Sequence, residues 1–176
     1  MKTSKFLKIS VVIITIILII SILSLYKVTL LQVYIADKGL DFNKILLQFP
    51  AKPQDKFSVK WTHSVSLRPV IETYKIEDDL SISIYEMIFD SFSANLPSSP
   101  NRDEIWEYND DYIRVYNYDI IFDSVPVVIG KIVANHTLFF KDKVIPLKDI
   151  YKPGGYVKIR ARKKSLIKYF FEEAFY

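Results

Sequence analysis

Hydrophobicity along the chain changes character at Tyr26. From Ile9 to Tyr26 runs ISVVIITIILIISILSLY, eighteen residues without a charge, a proline or a glycine. As a helix it rises about 27 Å, close to the hydrocarbon thickness of a bilayer. It is apolar all round, which suits lipid better than a one-sided protein core. It is also longer than a usual signal-peptide apolar region, and no A-x-A site follows. The pattern predicts an uncleaved transmembrane anchor over residues 1–28, with membrane lipid as its partner. Lys2, Lys5 and Lys8 precede the run and only Lys27 follows closely. Positive charge stays on the cytoplasmic side, so the N-terminus is expected inside and the remainder extracytoplasmic.

Beyond the anchor the pattern shortens to strand-length runs separated by turn residues. These are Leu31–Ile35, Lys44–Phe49, Phe57–His63, Val70–Ile76, Leu80–Phe89, Tyr112–Tyr118, Ile120–Phe122, Val125–Ile129, Ile132–Phe140, Val144–Leu147 and Tyr156–Ala161. NLPSSPNRDE, from Asn95, reads as a loop. No long helical period intervenes. An all-β domain is expected over 29–162, an antiparallel β-sandwich or partly open barrel.

Residues 163–176 return to a helical period, with Leu166, Ile167, Phe170, Phe171, Ala174 and Phe175 on one face. Lysines stand at its start and glutamates near its end, against the helix dipole. This short amphipathic helix therefore needs outside support, from the sheet or from a lipid surface.

Two strands carry polar residues out of phase. In KWTHSVSLRPVIETYKI, from Lys60, His63 shares a face with Phe57, Val59 and Trp61, and Glu72 shares one with Val70, Tyr74 and Ile76. With Trp61 opposite Tyr74, His63 faces Glu72. A three-residue turn to the next strand then puts Ile84 opposite Glu72 and Glu86 opposite Val70. On this register a three-strand meander gathers His63, Glu72 and Glu86 at one end of an apolar face, and a one-residue slip scatters them.

An ionised carboxylate there needs a partner, and His63 and Arg68 are the nearest candidates. His136 repeats the puzzle, in phase with Ile132, Ala134, Leu138 and Phe140. The cluster could fix the hairpin, line a pocket for a ligand or partner, or, with His136, hold a metal. No H-x-x-x-H spacing supports the metal. Ser64 is adjacent to His63 and points to the opposite face of a strand, which argues against a hydrolase, as does the lack of G-x-S-x-G.

Charge adds a little. All twenty acidic residues lie beyond Tyr26, and four of the 24 basic ones flank the anchor, leaving twenty. The excess of +4 is a topology signal, and no nucleic-acid partner is implied. There is no cysteine, hence no disulfide, no lipoprotein anchor and no thiolate metal site. No cofactor motif is present.

FSVKWTHSVSLRPVIETYKI, followed by SIYEMIFDSFSANLP and later by HTLFFKDKVIPL and GGYVKIR, resembles an uncharacterised prokaryotic family, domain of unknown function 1850. The likeness runs from about Leu31 to Arg160. His63, Ser64, Val65, Pro69, Val70, Glu72, Glu86 and His136 match its pattern. Ser66 stands where a Glu is usual, and Ser93-Ala94-Asn95 replaces a glycine-rich loop. The resemblance implies a small anchored or exported protein, encoded beside TRAP-type transporters whose solute receptor is of the TAXI class.

The functional expectation is an anchored extracytoplasmic binding or accessory module at such a transporter or its receptor. It is not an enzyme, and its candidate ligand or partner residues are His63, Ser64, Arg68, Glu72, Glu86 and His136. A metal-dependent or other enzyme using His63, Glu72 and Glu86 is one alternative, and a purely structural membrane protein another.

Overall fold

The computed structural model describes residues 2–174, with side chains over 7–171. Helix α1 (Lys2–Leu25) contains a span, Leu7–Leu25, long and apolar enough to cross a membrane. A helix satisfies its own backbone in such a span, and the Thr15 hydroxyl bonds back to the Val11 carbonyl at 2.9 Å. The chain forms two compact units. One holds both ends, 1–30 and 162–176; the other is 31–161.

The second unit is mostly strand, in two antiparallel sheets. The strands are β1 (Lys27–Ile35), β2 (Ile45–Ala51), β3 (Lys56–Thr62), β4 (Pro69–Ile76), β5 (Ile82–Phe89), β6 (Ile105–Tyr108), β7 (Ile113–Tyr116), β8 (Ile121–Phe122), β9 (Val125–Val128), β10 (Thr137–Phe140), β11 (Lys143–Pro146) and β12 (Tyr156–Ser165). The smaller sheet has the order β2-β1-β12-β9; the larger runs β11-β10-β3-β4-β5-β7-β6, with β8 also on β5.

Alternate residues of both sheets meet in one core. Leu31, Val33, Val157 and Ile159 come from the smaller sheet, and Phe57, Val59, Tyr74, Ile76, Leu138 and Phe140 from the larger. This is the sandwich that the period-2 pattern predicts. Phe57 stacks on Tyr74 at 5.3 Å between ring centroids. A second cluster, Val70, Met87, Phe89, Ile113 and Val115, fills the far end beneath Trp61 and Trp106.

The register differs from the expected one in two ways. Trp61 pairs with Val70, Val59 with Glu72 and Phe57 with Tyr74. The offset from the expected pairing is even, so faces are kept and partners change. In the next pair, Tyr74 opposes Ile84 while Thr73 opposes Glu86. Tyr85 is the extra residue of a β-bulge. Parity flips there, so Ile82, Met87 and Phe89 turn inward and Glu86 turns outward.

Two elements were not legible. Strand β6 lies just after the proline loop and is too short to show a period. The expected strand Ile132–Phe140 begins only at Thr137, because residues 130–136 fold into a tight loop. There a Cβ on Gly130 would fall 2.6 Å from the Cβ of Ala134, so the close approach needs glycine.

In the other unit, β12 continues through Ser165 and helix α2 spans Leu166–Ala174, three residues later than expected. The side chain of Ala174, and all of Phe175, lie outside the described residues.

Truncating Phe57→Ala removes a fully buried ring and is expected to cost about 3–5 kcal/mol. Ile105→Ala, on the exposed edge strand β6, is expected to cost under about 0.5 kcal/mol. Denaturant unfolding of the detergent-solubilised chain, read by tryptophan fluorescence, checks both.

Candidate functional site

His63 lies just past the end of β3 and is only 5% exposed. Its loop is closed by His63 N–H donating to the Arg68 carbonyl at 2.8 Å and Leu67 N–H donating to the His63 carbonyl at 2.9 Å. Leu67 takes a left-handed backbone, φ +58°, to complete the turn. The imidazole Nδ1 accepts from the backbone N–H of Val65 and of Ser66, at 3.2 and 3.3 Å, and lies 3.2 Å from the Ser93 hydroxyl. With Nδ1 accepting, Nε2 carries the proton and donates to the Ala94 carbonyl at 2.7 Å. The ring bolts the β3–β4 loop to the loop after β5, and both nitrogens are occupied.

Arg68 joins the same two loops, pairing with Asp90 at 2.8 Å rather than with Glu72. Ser64 is exposed and takes no part in the hydrogen bonds to the ring. The buried Asp90 Oδ1 and the hydroxyls of Ser66 and Ser91 have no partner in this junction.

Glu72 faces inward from β4 between Val59 and Met87. Tyr74 donates its hydroxyl to the carboxylate at 2.8 Å, and the Trp61 indole N–H donates as well. Burial outweighs both and raises the carboxyl above its ordinary value. Tyr74 is pushed up by burial and by the Glu72 charge. His63, expected opposite Glu72, is not there, and Phe89 rather than Glu86 stands opposite Val70.

Trp61 links the polar residues instead. His136, in the loop before β10 rather than in a strand, stacks on its ring at 6.0 Å, and His63 lies at 5.8 Å. Gly130 N–H donates to His136 Nδ1 at 3.1 Å, and burial holds that imidazole below its ordinary value. Among the described residues no three His, Asp or Glu side chains form a group able to hold a metal ion.

Glu86 belongs to the opposite face. Its carboxylate accepts from Arg114 at 2.7 Å, and Arg114 also reaches Glu107 at 3.1 Å. Tyr116 donates to Glu107 at 2.9 Å. That hydroxyl, and next Arg114, hold Glu107 below the usual carboxylate range. Arg114 in turn lies over the Tyr116 ring at 4.7 Å.

This network borders a groove that sequence reasoning missed. Strands β7 and β8 both pair with β5, and the chain between them swings out at Asn117, φ +63°. The gap faces the Tyr85 bulge and opens a cavity of about 480 Å³. Tyr85, Tyr116 and Tyr118 line it with Lys75, Ser83 and Arg114. Lys75 is already paired with Glu77 at 2.9 Å, and Ser83 also bonds Glu77. The Lys56 ammonium sits 3.2 Å over the Tyr85 ring. Tyr118 keeps its hydroxyl buried and without a partner, and burial, Glu104 and Glu72 push it up. Nothing in a period-2 reading signals a gap made by a bulge opposite a strand break.

A family model described as Domain of unknown function (DUF1850) matches residues 57–147. The match is narrower than the likeness read from the motifs, running from β3 to the residue after β11. No curated protein and no solved structure matches the chain.

Two stability tests follow. His63→Ala strips partners from buried backbone groups and is expected to cost about 1–3 kcal/mol, with faster hydrogen exchange at 63–68 and 90–96. Arg68→Ala, on a side chain 60% exposed, should cost under about 1 kcal/mol.

The pH dependence has two arms. Above 4.5 an unfolded Glu72 ionises while the folded one resists, so its contribution to stability falls as pH rises through the window above that value. Glu72→Gln should therefore raise the melting temperature at neutral pH and lose that advantage below pH 4.5. His136 has the opposite sense. An unfolded imidazole takes its proton near 6.5 while the folded one resists, so stability falls as pH drops through 6.5. Thermal scans across pH read both arms.

Proposed function

The chain belongs to the DUF1850 family, and on that premise we propose that it is a membrane-anchored, extracytoplasmic interaction module. The span Leu7–Leu25 supports the anchor, and the lysines before it support an N-terminus on the cytoplasmic side. Its partner is a protein of the same membrane system, a TRAP-type transporter or its TAXI-class solute receptor. That identity rests on the family resemblance.

One observation carries the binding reading: the open groove at the Tyr85 bulge. Tyrosines bring contact area at low entropic cost, and protein interfaces are rich in them. The groove's cations and anions already pair with one another, so a polyanion gains little there. An uncharged, hydrogen-bonding segment of a partner fits better. Binding is also favoured over acid–base catalysis by the histidines, since His63 spends both nitrogens, and His136 its Nδ1, on internal hydrogen bonds.

A photo-crosslinking residue in place of Tyr116 should capture one defined membrane partner in cells, and the same residue at Val144, on the exposed β11, should not. Equal or absent capture at the two positions would refute the groove as the contact surface. A periplasm-active phosphatase fused to the C-terminus should be active; activity only from a cytoplasm-active reporter would refute the orientation.

A further inference from the structure

We propose that helix α2 is a second membrane contact of this protein, lying in the headgroup region of the bilayer beside the point where α1 leaves it. The inference rests on the anchored reading of α1. Its geometric basis is the junction of the two ends. The Leu166 N–H, at the start of α2, donates to the carbonyl of Tyr26 at 2.8 Å. Tyr26 is the residue immediately after the span Leu7–Leu25, and it is exposed. A tyrosine there sits where membrane proteins place their interfacial aromatic belt. The first turn of α2 is therefore held at the level of the membrane boundary, whichever way α1 is oriented.

The helix itself is built for such a place. It has nine residues, fewer than a helix needs to persist alone in water. No acidic residue in its first turn and no basic one in its last turn offsets its dipole. Leu166, Ile167, Phe170 and Phe171 fall within an arc of about 140° at 3.6 residues per turn, with Lys168 outside it. Leu166 and Ile167 are half-buried, but Phe170 and Phe171 are 56% and 60% exposed. Two adjacent exposed phenylalanines are costly in water and favourable in the acyl–headgroup boundary. The exposed Lys27, Lys163 and Lys168 stand close in sequence to this junction, where anionic headgroups supply counter-charges. Lipid is thus the occupant that answers both the apolar arc and the basic rim, and it is already at hand.

The absence of cysteine makes the test direct. Single variants Phe171→Cys, Lys168→Cys and Ile16→Cys of the full chain carry an environment-sensitive fluorophore. Each is reconstituted into phosphatidylethanolamine–phosphatidylglycerol vesicles containing nitroxide-labelled lipids. The Ile16 label reports whether α1 is in the bilayer. The expected result is strong quenching at Ile16 by deep nitroxides, and quenching at Phe171 by shallow nitroxides several-fold greater than at Lys168. Phe171 shielded from aqueous iodide yet unquenched by any lipid would mean that α2 packs on protein, and would overturn the proposal. Equal iodide access at Phe171 and Lys168 would mean a free helix and would overturn it too. An unquenched Ile16 label would instead bring down the anchored reading of α1, and this inference with it.

Discussion

A strand's side chains alternate between two faces, so one extra residue exchanges the neighbours of everything beyond it. Tyr85 is that residue in β5. Before it, Ile82 and Ile84 follow the face of Tyr74 and Ile76; after it, Met87 and Phe89 take over the inward positions. The second core cluster exists because of that exchange. So does the outward turn of Glu86 toward Arg114. The same bulge leaves Tyr85 out of the ladder, opposite the place where the chain between β7 and β8 leaves the sheet edge. Core packing, the surface ion network and the groove thus share one cause.

The fold was largely readable because its signal is redundant. Val59, Tyr74, Ile76 and Val157 each sit in an alternating run, and burying one face of such a run admits few architectures. The site was less readable because it depends on register, which alternation leaves open to even shifts. Glu72 takes the inward phase expected of it and His63 is buried, but His63 lies beyond the end of β3, and β3 and β4 pair so that Val59 occupies the place expected for His63. His136 is in phase with its run and still lies in a loop, since residues 130–136 turn back so tightly that only a glycine at 130 leaves room for Ala134. The bulge has no local signature at all: Ser-Ile-Tyr-Glu-Met-Ile reads as an uninterrupted strand.

His63 shows how a residue that looks chemical becomes architectural. An imidazole can accept at one nitrogen and donate at the other, and here each role meets a backbone group of a different loop. No aliphatic side chain could hold two turns together in this way. Arg68 and Asp90 tie the same loops nearer the solvent, where the pair is worth less. The motif His-Ser-Val…Pro-Val-x-Glu therefore reads as two separate devices, a loop clamp at His63 and a half-buried, inward-facing carboxyl at Glu72, and not as one reactive pair.

Burial works against the charged form of Glu72. Two donors reach Glu72, yet burial still raises it, so the charged form is under-compensated where it stands. A leucine or methionine of similar volume would avoid that penalty but would leave the Trp61 N–H and the Tyr74 hydroxyl without their acceptor. What a carboxyl offers, and an apolar residue does not, is a fixed acceptor for Trp61 and Tyr74 and a charge felt by the unpartnered Tyr118 hydroxyl. Tyr118 also lines the groove. The half-buried acid thus holds the indole of Trp61, two residues before the loop clamp, and the hydroxyl of Tyr74, and so ties neighbouring strands through side chains as well as through the ladder.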